Sequence, residues 1–234
     1  MVRRLVLMPG MDGTGELFVP FVHALGSACQ VKVIRYPGDV AMGYAELEAF
    51  VRKRLPKKGR YVVLGESFSG PVAVRLAAAP PPGLIGVILC CTFLKNPRPS
   101  LSGPRWLMDM APVKRVPVGV MAAVMMGRYS TASLRAALAH ALVQVSDATL
   151  KARMRAVQEV DVTRDLASAK IPVMYLQAEQ DYVVPKDAAA EVQAQLPSAT
   201  VISINGPHFL LQTRPTAAAA EVVSFIRSRK SVSP

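Results

Sequence analysis

A serine at position 67 has the sequence environment of a nucleophile. It stands in the hexapeptide G-E-S-F-S-G at residues 65–70, after the apolar run at residues 61–64 and before residues 71–79, which have helical character. A strand, a tight turn and a helix in this order hold the central residue in a strained conformation and expose its hydroxyl. Ser67 is therefore predicted to be a nucleophile on a strand-to-helix corner, a nucleophile elbow.

The base that such a serine requires is predicted at His208. A serine hydroxyl is a weak nucleophile until a base takes its proton. Two of the three histidines, His23 and His140, lie inside predicted helices. His208 instead lies in the loop N-G-P-H-F after a predicted strand, from which a side chain can point over the edge of a sheet. Its position favours a catalytic role.

A carboxylate that would orient the histidine is predicted at Asp181. This residue follows the predicted strand at residues 171–176, and open α/β sheets build their sites at the carboxyl ends of strands. Glu179 is the nearest rival, whereas Asp161 and Asp165 precede the strand. An aspartate in a loop often serves only the turn. The position of Asp181 between the serine and the histidine in the chain favours catalysis.

Two backbone N–H groups are predicted to stabilise the oxyanion of a tetrahedral intermediate. One belongs to Phe68, directly after the serine. The other is predicted at Met11, in the loop P-G-M-D-G at residues 9–13, where Gly10 and Gly13 permit a sharp bend. Taken alone, this loop is also compatible with a plain turn or a phosphate cradle, although it lacks the Lys-Ser/Thr pair of a P-loop.

These residues lie in a chain whose predicted strands and helices alternate. Strands are predicted at residues 5–8, 31–34, 61–64, 84–90, 171–176 and 200–204. Helices are predicted at residues 17–25, 44–55, 71–79 and 186–196, and after Pro215. Short alternating units are typical of a mostly parallel sheet covered by helices on both faces. The sequence therefore predicts an α/β fold.

A helical segment interrupts this alternation. Apolar residues recur at helical spacing over residues 134–145 and 150–157, and no strand pattern is seen in this part of the sequence. The sequence predicts a core formed by residues 1–91 and 171–234, with residues 92–170 inserted as a helical cap.

Length and composition limit the class of protein. A chain of 234 residues, 51% of them hydrophobic, suits one domain with a large core. No apolar run reaches the length of a transmembrane helix, and the run near the start is too short for a signal peptide. Cys29, Cys90 and Cys91 form neither a disulfide framework nor a metal-ligand pattern. A reduced, cytoplasmic protein without metal or cofactor is predicted.

The chain is strongly basic, with a net charge of +12. Its basic residues are dispersed and no nucleic-acid-binding motif is present, so nucleic acid is not a predicted partner. Residues 92–170 contribute +7 of this charge. Such a surface is compatible with steering of anionic substrates such as acyl-CoA, with weak contact to anionic lipid, or with an ordinary solvated face. The oligomeric state is left open.

The predicted cap is rich in methionine and holds the single tryptophan, Trp106. Its methionines are Met108, Met110, Met121, Met125, Met126 and Met154. Flexible methionine side chains suit a pocket for acyl chains of variable shape. Trp106, Met125 and Met126 are predicted to line that pocket, and a plain helical core is the alternative.

Four stretches of the chain together resemble the α/β-hydrolase superfamily. They are L-M-P-G-M-D-G-T-G, G-E-S-F-S-G, I-P-V-M-Y-L-Q-A-E-Q-D-Y-V-V-P and G-P-H-F-L-L-Q-T-R-P. They occur in the order found in that family, and the resemblance spans nearly the whole chain. It implies the α/β-hydrolase fold with a helical cap, and a branch similar to serine esterases and thioesterases.

The resemblance also implies roles for individual residues. Ser67, Asp181 and His208 would form a catalytic triad, and Met11 and Phe68 an oxyanion hole. The chain departs from the family pattern at two positions. A proline stands at position 9, where many members have histidine, and a serine stands at position 69, where the second elbow glycine is usual. A less common branch is indicated.

The predicted function is that of a serine hydrolase which cleaves carboxylic esters through an acyl-enzyme on Ser67. Its partner would be a small-molecule ester or thioester with an apolar acyl group. An acyl thioesterase or acyltransferase would use the same triad. A non-catalytic ligand-binding protein on the same fold is the alternative from another class.

Overall fold

The computed structural model describes residues 4–99 and 116–229 of the chain. Its centre is a sheet of six strands. These are β1 (Arg4–Met8), β2 (Gln30–Val33), β3 (Tyr61–Glu66), β4 (Leu84–Cys90), β5 (Val173–Gln180) and β6 (Thr200–Pro207). The spatial order is β2-β1-β3-β4-β5-β6, and all neighbouring strands in it are parallel. The predicted parallel α/β sheet is confirmed.

Helices connect these strands. In chain order the described α-helices are α1 (Val19–Leu25), α2 (Tyr44–Arg52), α3 (Gly70–Ala78), α4 (Val118–Met126), α5 (Ala132–Val143), α6 (Asp147–Glu159), α7 (Thr163–Ala167), α8 (Asp187–Gln195), α9 (Leu210–Thr213) and α10 (Pro215–Ser228). Within the described ranges, none of these helices is long and apolar enough to cross a membrane.

The inner strands of the sheet are buried on both faces. In β1, Leu5 and Leu7 pack into one apolar cluster, together with residues of α1, α9 and α10. Val6 and Met8 pack into a second cluster, with residues of α2, α3, α7 and α8. Successive side chains of a strand point to opposite faces, so an uninterrupted apolar run is what a doubly covered strand requires.

Three strands extend further than the apolar pattern predicts. β3 continues to Glu66, β5 to Gln180 and β6 to Pro207. Apolar periodicity marks only the buried part of a strand, whereas backbone pairing continues into the polar residues that follow. Each of the three strands therefore ends directly before a predicted catalytic residue.

Helices α4 to α7 lie between β4 and β5 in the chain. Met126 of α4 and Leu138 of α5 pack in a small apolar cluster with Leu17, and Phe209 packs against it. The N–H of Phe209 also donates to the carbonyl oxygen of Met125 at 2.9 Å. These contacts place α4 and α5 over the carboxyl ends of the strands. The division into a core and a cap at residues 92–170 stays a prediction.

Candidate active site

Ser67 lies at a sharp corner between β3 and α3. β3 ends at Glu66, a short 3-10 turn spans Ser67–Ser69, and α3 begins at Gly70. The φ angle of Ser67 is +47°, in the left-handed region that residues with a Cβ rarely adopt. The start of the helix passes close to the segment that follows β4, because a Cβ on Gly70 would lie 1.9 Å from Oγ1 of Thr92. This is the geometry of the predicted elbow.

The structure brings Ser67, His208 and Asp181 into one hydrogen-bonded chain. Nε2 of His208 lies 3.0 Å from Oγ of Ser67, and its Nδ1 lies 2.8 Å from Oδ2 of Asp181. Oδ1 of Asp181 accepts the backbone N–H groups of Val183 and Val184, each at 2.8 Å. The carboxylate is thereby fixed, and an Nδ1–H that donates to it leaves Nε2 free to accept the serine proton.

Strand ends position the three residues. Asp181 and His208 directly follow β5 and β6, whose last paired residues are Gln180 and Pro207. Neighbouring strands thus present Asp181 and His208 at the same height of the sheet. Ser67 follows β3 at the same edge of the sheet. The carboxyl edge of a parallel sheet is where sites of such folds assemble.

The rival residues lie elsewhere. Glu179 is exposed at the end of β5, and Asp161 accepts hydrogen bonds within its own turn. His23 is exposed on α1, and Nδ1 of His140 lies 2.8 Å from a carboxylate oxygen of Glu16. None of the described hydrogen bonds joins any of these residues to Ser67 or His208.

The loop after β1 lies beside the serine. A Cβ on Gly10 would be 3.9 Å from the Cβ of Ser67. The loop turns tightly because the N–H of Gly13 donates to the carbonyl oxygen of Gly10 at 3.1 Å. Phe68 is fully buried in the turn that follows the serine. Met11 and Phe68 therefore lie on the two segments that flank Ser67, and their service as an oxyanion hole stays a prediction.

The two departures from the family pattern contact each other. Oγ of Ser69 donates to the carbonyl oxygen of Pro9, and the hydroxyl of Tyr36 lies 2.6 Å from the same Oγ. A chain of hydrogen bonds thus runs from Tyr36 through Ser69 to Pro9. Because the single hydroxyl proton of Ser69 goes to Pro9, Tyr36 is the donor to Ser69, and burial raises the pKa of its phenol. The serine hydroxyl joins the elbow to the loop that carries Met11.

Sequence reasoning missed Glu66, a buried carboxyl group next to Ser67. Nε2 of Gln212 donates to its Oε1 at 2.9 Å. Gln212 belongs to α9, just after His208, so the pair links the strand that ends before Ser67 to the segment that follows His208. Burial, with a smaller contribution from the charge of Asp12, raises the pKa of Glu66 to about 7. The available signal was a charged residue that ends an otherwise apolar strand.

This shift predicts a pH dependence of stability. The pKa of Glu66 rises from its ordinary 4.5 to about 7 on folding. The folded protein therefore binds a proton between these values that the unfolded chain has lost, and its stability falls as pH rises through this range. Glu66→Gln keeps the acceptor for Gln212 but cannot ionise. As pH rises from about 4.5 to 8, we expect the free energy of unfolding of Glu66→Gln to increase by about 3 kcal/mol relative to that of wild type.

Urea denaturation of both proteins across this pH range measures the effect. Glu46→Gln is the control, because Glu46 is exposed on α2. The free energy of unfolding of Glu46→Gln, plotted against pH, should run parallel to that of wild type. If the plot for Glu66→Gln also runs parallel to that of wild type, the pKa of Glu66 is not raised.

A cavity of about 510 Å³ opens at the serine. Ser67, His208, Asp12 and Glu66 line its polar end. Its apolar walls include Leu17, Met121, Met125, Leu138, Leu142 and Met154. Most of these apolar residues come from α4, α5 and α6, so these three helices form much of the cavity wall around Ser67. A cavity of this size suits a small organic ligand.

The three predicted pocket residues have different outcomes. Met125 lines the cavity. Met126 is fully buried against Ala122 and Leu138 in the cluster of the inserted helices, and is not among the described residues that line the cavity. Trp106 lies outside the described residues. α4 is apolar on every side, so the periodicity that would separate a pocket face from a core face is missing from its sequence.

The sequence belongs to a known family. Residues 5–222 match the alpha/beta hydrolase family, so the chain is a member of that family and the predicted resemblance is confirmed. No curated protein matches the sequence.

Several solved structures share the fold at low sequence identity. The enol-lactonase from Burkholderia xenovorans LB400 has 18% identity and a TM-score of 0.83, covering 97% of this chain and 92% of that one. An esterase from Exiguobacterium antarcticum has 15% identity and a TM-score of 0.80, covering 96% and 92%. A bromoperoxidase from Bacillus anthracis has 17% identity and a TM-score of 0.81, covering 97% and 92%. At such identities the likeness establishes the fold, and function must be argued from the site.

Proposed function

We propose that this protein is a serine hydrolase that cleaves carboxylic esters with apolar acyl groups through an acyl-enzyme on Ser67. The observation that carries the proposal is the hydrogen-bonded chain from Asp181 through His208 to Ser67, at the floor of a largely apolar cavity. A hydroxyl, an imidazole and a buried carboxylate in this order are the parts of acyl-transfer catalysis.

In the proposed first half-reaction, Oγ of Ser67 attacks the acyl carbon while Nε2 of His208 takes the hydroxyl proton. Asp181 stabilises the imidazolium that results. The carbonyl oxygen becomes an oxyanion and accepts the N–H groups of Met11 and Phe68. The intermediate collapses, the bond to the leaving alcohol breaks, and His208 gives its proton to that alcohol.

In the second half-reaction, water takes the place of the alcohol. His208 removes a proton from the water, the hydroxide attacks the acyl carbon, and collapse of the second intermediate releases the acid. The proton returns to Oγ of Ser67. The proposed mechanism needs no cofactor in either half-reaction, because the same imidazole takes a proton from each nucleophile and gives it to each leaving group.

A neutral ester is favoured over acyl-CoA as the substrate. The charged residues that line the described part of the cavity are Asp12 and Glu66, with the base His208, and no lysine or arginine is among them. Acyl-CoA carries phosphates that need cationic or N–H partners. Ester hydrolysis is also the activity that the names of the esterase and the enol-lactonase indicate for those proteins.

A panel of p-nitrophenyl esters of graded chain length, set beside the matching acyl-CoA thioesters, tests the proposal. We expect kcat/KM for esters to rise with acyl chain length until the cavity is full. Each methylene of the substrate that becomes buried contributes up to about 0.8 kcal/mol of binding free energy. Thioesters turned over faster than esters would favour the thioesterase. Absence of turnover of any ester or thioester by the folded protein would favour the ligand-binding alternative.

Enlarging one wall residue is expected to change the chain-length preference. Met125→Trp narrows the cavity without touching Ser67, so kcat/KM for long-chain esters should fall by about tenfold, or about 1.4 kcal/mol, whereas acetate esters are nearly unaffected. Val120→Trp is the matched control, because Val120 is exposed on the same helix. An unchanged chain-length profile in folded Met125→Trp would remove Met125 from the acyl site.

A further inference from the structure

Arg153 is a buried cation that reaches from an inserted helix to the loop beside the nucleophile. It lies in the middle of α6 and is only 1% exposed. Its Nη1 donates to the carbonyl oxygens of Met11 and Asp12, at 2.7 and 2.8 Å, and its Nη2 donates to that of Pro37 at 2.9 Å. One guanidinium thus holds three backbone carbonyl groups on two separate loops.

The surrounding structure is shaped to admit this side chain. Gly13 has a φ angle of +72°, and a Cβ there would lie 2.6 Å from Nη1 of Arg153. The guanidinium also lies 5.8 Å from the ring centre of Tyr36 and 6.0 Å from that of Phe68. Burial of a charge is costly unless hydrogen bonds and nearby groups offset it. Here carbonyls, aromatic rings and the carboxylate of Asp12 do so.

The helix that carries Arg153 is itself anchored near the same loops. The N–H of Ser146, the N-cap of α6, donates to the carbonyl oxygen of Gly38 at 2.7 Å. A Cβ on Gly38 would lie 2.1 Å from the carbonyl oxygen of Gln144. The start of α6 and the Arg153 side chain therefore fix the inserted segment at two adjacent points.

The held carbonyls matter because of their place in the loop. Met11 stands between Gly10 and Asp12, and its N–H is one of the two donors proposed for the oxyanion. The Met11 N–H shares its peptide plane with the carbonyl of Gly10, which accepts the N–H of Gly13 at 3.1 Å. Arg153 holds the next two carbonyl groups, those of Met11 and Asp12. Together these hydrogen bonds limit the backbone rotations that Gly10 and Gly13 would otherwise permit, and with them the direction of the Met11 N–H.

We propose that Arg153 is a positioning residue for the oxyanion hole, acting through the carbonyl groups of Met11 and Asp12. The inference rests on the proposed function, since an oxyanion must form for the hole to act on. Part of the machinery that stabilises the transition state would then be supplied by the inserted helices. The competing view is that Arg153 only attaches those helices to the core.

The two views differ in which kinetic constant changes. Arg153→Met removes the N–H donors and keeps a side chain of similar bulk. Arg153→Lys keeps the charge, but an ammonium group cannot reach all three carbonyl groups as the forked guanidinium does. Arg155→Met is the control for lost charge, because Arg155 is exposed on the same helix. We expect kcat of Arg153→Met to fall about 100-fold with KM within about threefold, and kcat of Arg153→Lys to fall about tenfold.

A thionoester, in which sulfur replaces the carbonyl oxygen, adds a readout specific to the hole. Sulfur accepts hydrogen bonds weakly, so the thionoester gains little from the N–H donors. The ratio of ester to thionoester kcat should therefore shrink in Arg153→Met and stay at the wild-type value in Arg155→Met. A purely structural role would lower both rates together and leave the ratio unchanged.

Labelling with a fluorophosphonate separates failure of this inference from failure of the proposed function. A folded wild type that is not labelled at Ser67 would overturn the proposed function, and the inference with it. A labelled wild type beside a folded Arg153→Met with unchanged kcat, or with a change in KM alone, would overturn only the inference. If Arg153→Met does not fold, a folded Arg153→Lys with the kcat of wild type would likewise overturn the inference. If neither variant folds, Arg153 has a structural role alone.

Discussion

Ser67→Ala is expected to abolish turnover of every ester and all labelling by a fluorophosphonate. The alanine removes the atom that is proposed to form the acyl-enzyme, and loss of a triad nucleophile lowers kcat by a factor on the order of a million. Burst kinetics and mass spectrometry of the labelled protein measure both effects. The φ angle of +47° at this corner suits alanine no worse than serine, so the fold should be kept.

Ser69→Ala is the matched control for this prediction. Ser69 lies two residues along the same turn, but its hydroxyl is engaged with Pro9 and Tyr36. Ser69→Ala should lose some stability and remain labelled. Labelling that persists in Ser67→Ala and disappears in Ser69→Ala would move the nucleophile to position 69.

Asp181→Asn is expected to lower kcat by about ten-thousandfold. The amide keeps an oxygen for the N–H groups of Val183 and Val184, so the loop should stay in place. Its NH₂ group would then face Nδ1 of His208, hold the imidazole in the wrong tautomer and remove the charge that stabilises the imidazolium. Steady-state kinetics on the best ester of the panel measure the loss.

Glu179→Gln is the control for the acid, because Glu179 is exposed two residues before Asp181. Its kcat should stay within about tenfold of wild type. A greater loss in Glu179→Gln than in Asp181→Asn would refute the assignment of the acid.

The sequence was sufficient to predict that Ser67, Asp181 and His208 lie together, because each of them is marked by its neighbours. Ser67, Asp181 and His208 each follow a strand that apolar residues identify, and parallel strands end at one edge of the sheet. The distances between them then follow from pairing of β5 with β6 and from the place of β3 in the sheet. The local sequence pattern and the strand order are together enough to predict the relative positions of these three residues.

Contacts between distant segments were not predictable in the same way. Arg153 and Met11 are 142 residues apart, and Gln212 and Glu66 are 146 apart. An arginine in an amphipathic helix has the same sequence signature whether its side chain is exposed or buried, as Arg155 and Arg153 of α6 show. Met125 and Met126 show the same limit at short range, since neighbouring residues of an all-apolar helix differ only in what packs against them.

The hydrogen-bonded chain of Tyr36, Ser69 and Pro9 has a consequence for how chains of this kind are recognised. A search pattern that demands glycine at the last elbow position discards this protein, although the serine there fills a defined place. The structural motif here consists of the small side chain of Ser69 together with its two hydrogen-bond partners, Pro9 and Tyr36. A pattern that couples a serine in the elbow to a proline after β1 and a tyrosine after β2 would describe that unit, and would separate such chains from those in which a glycine simply leaves room.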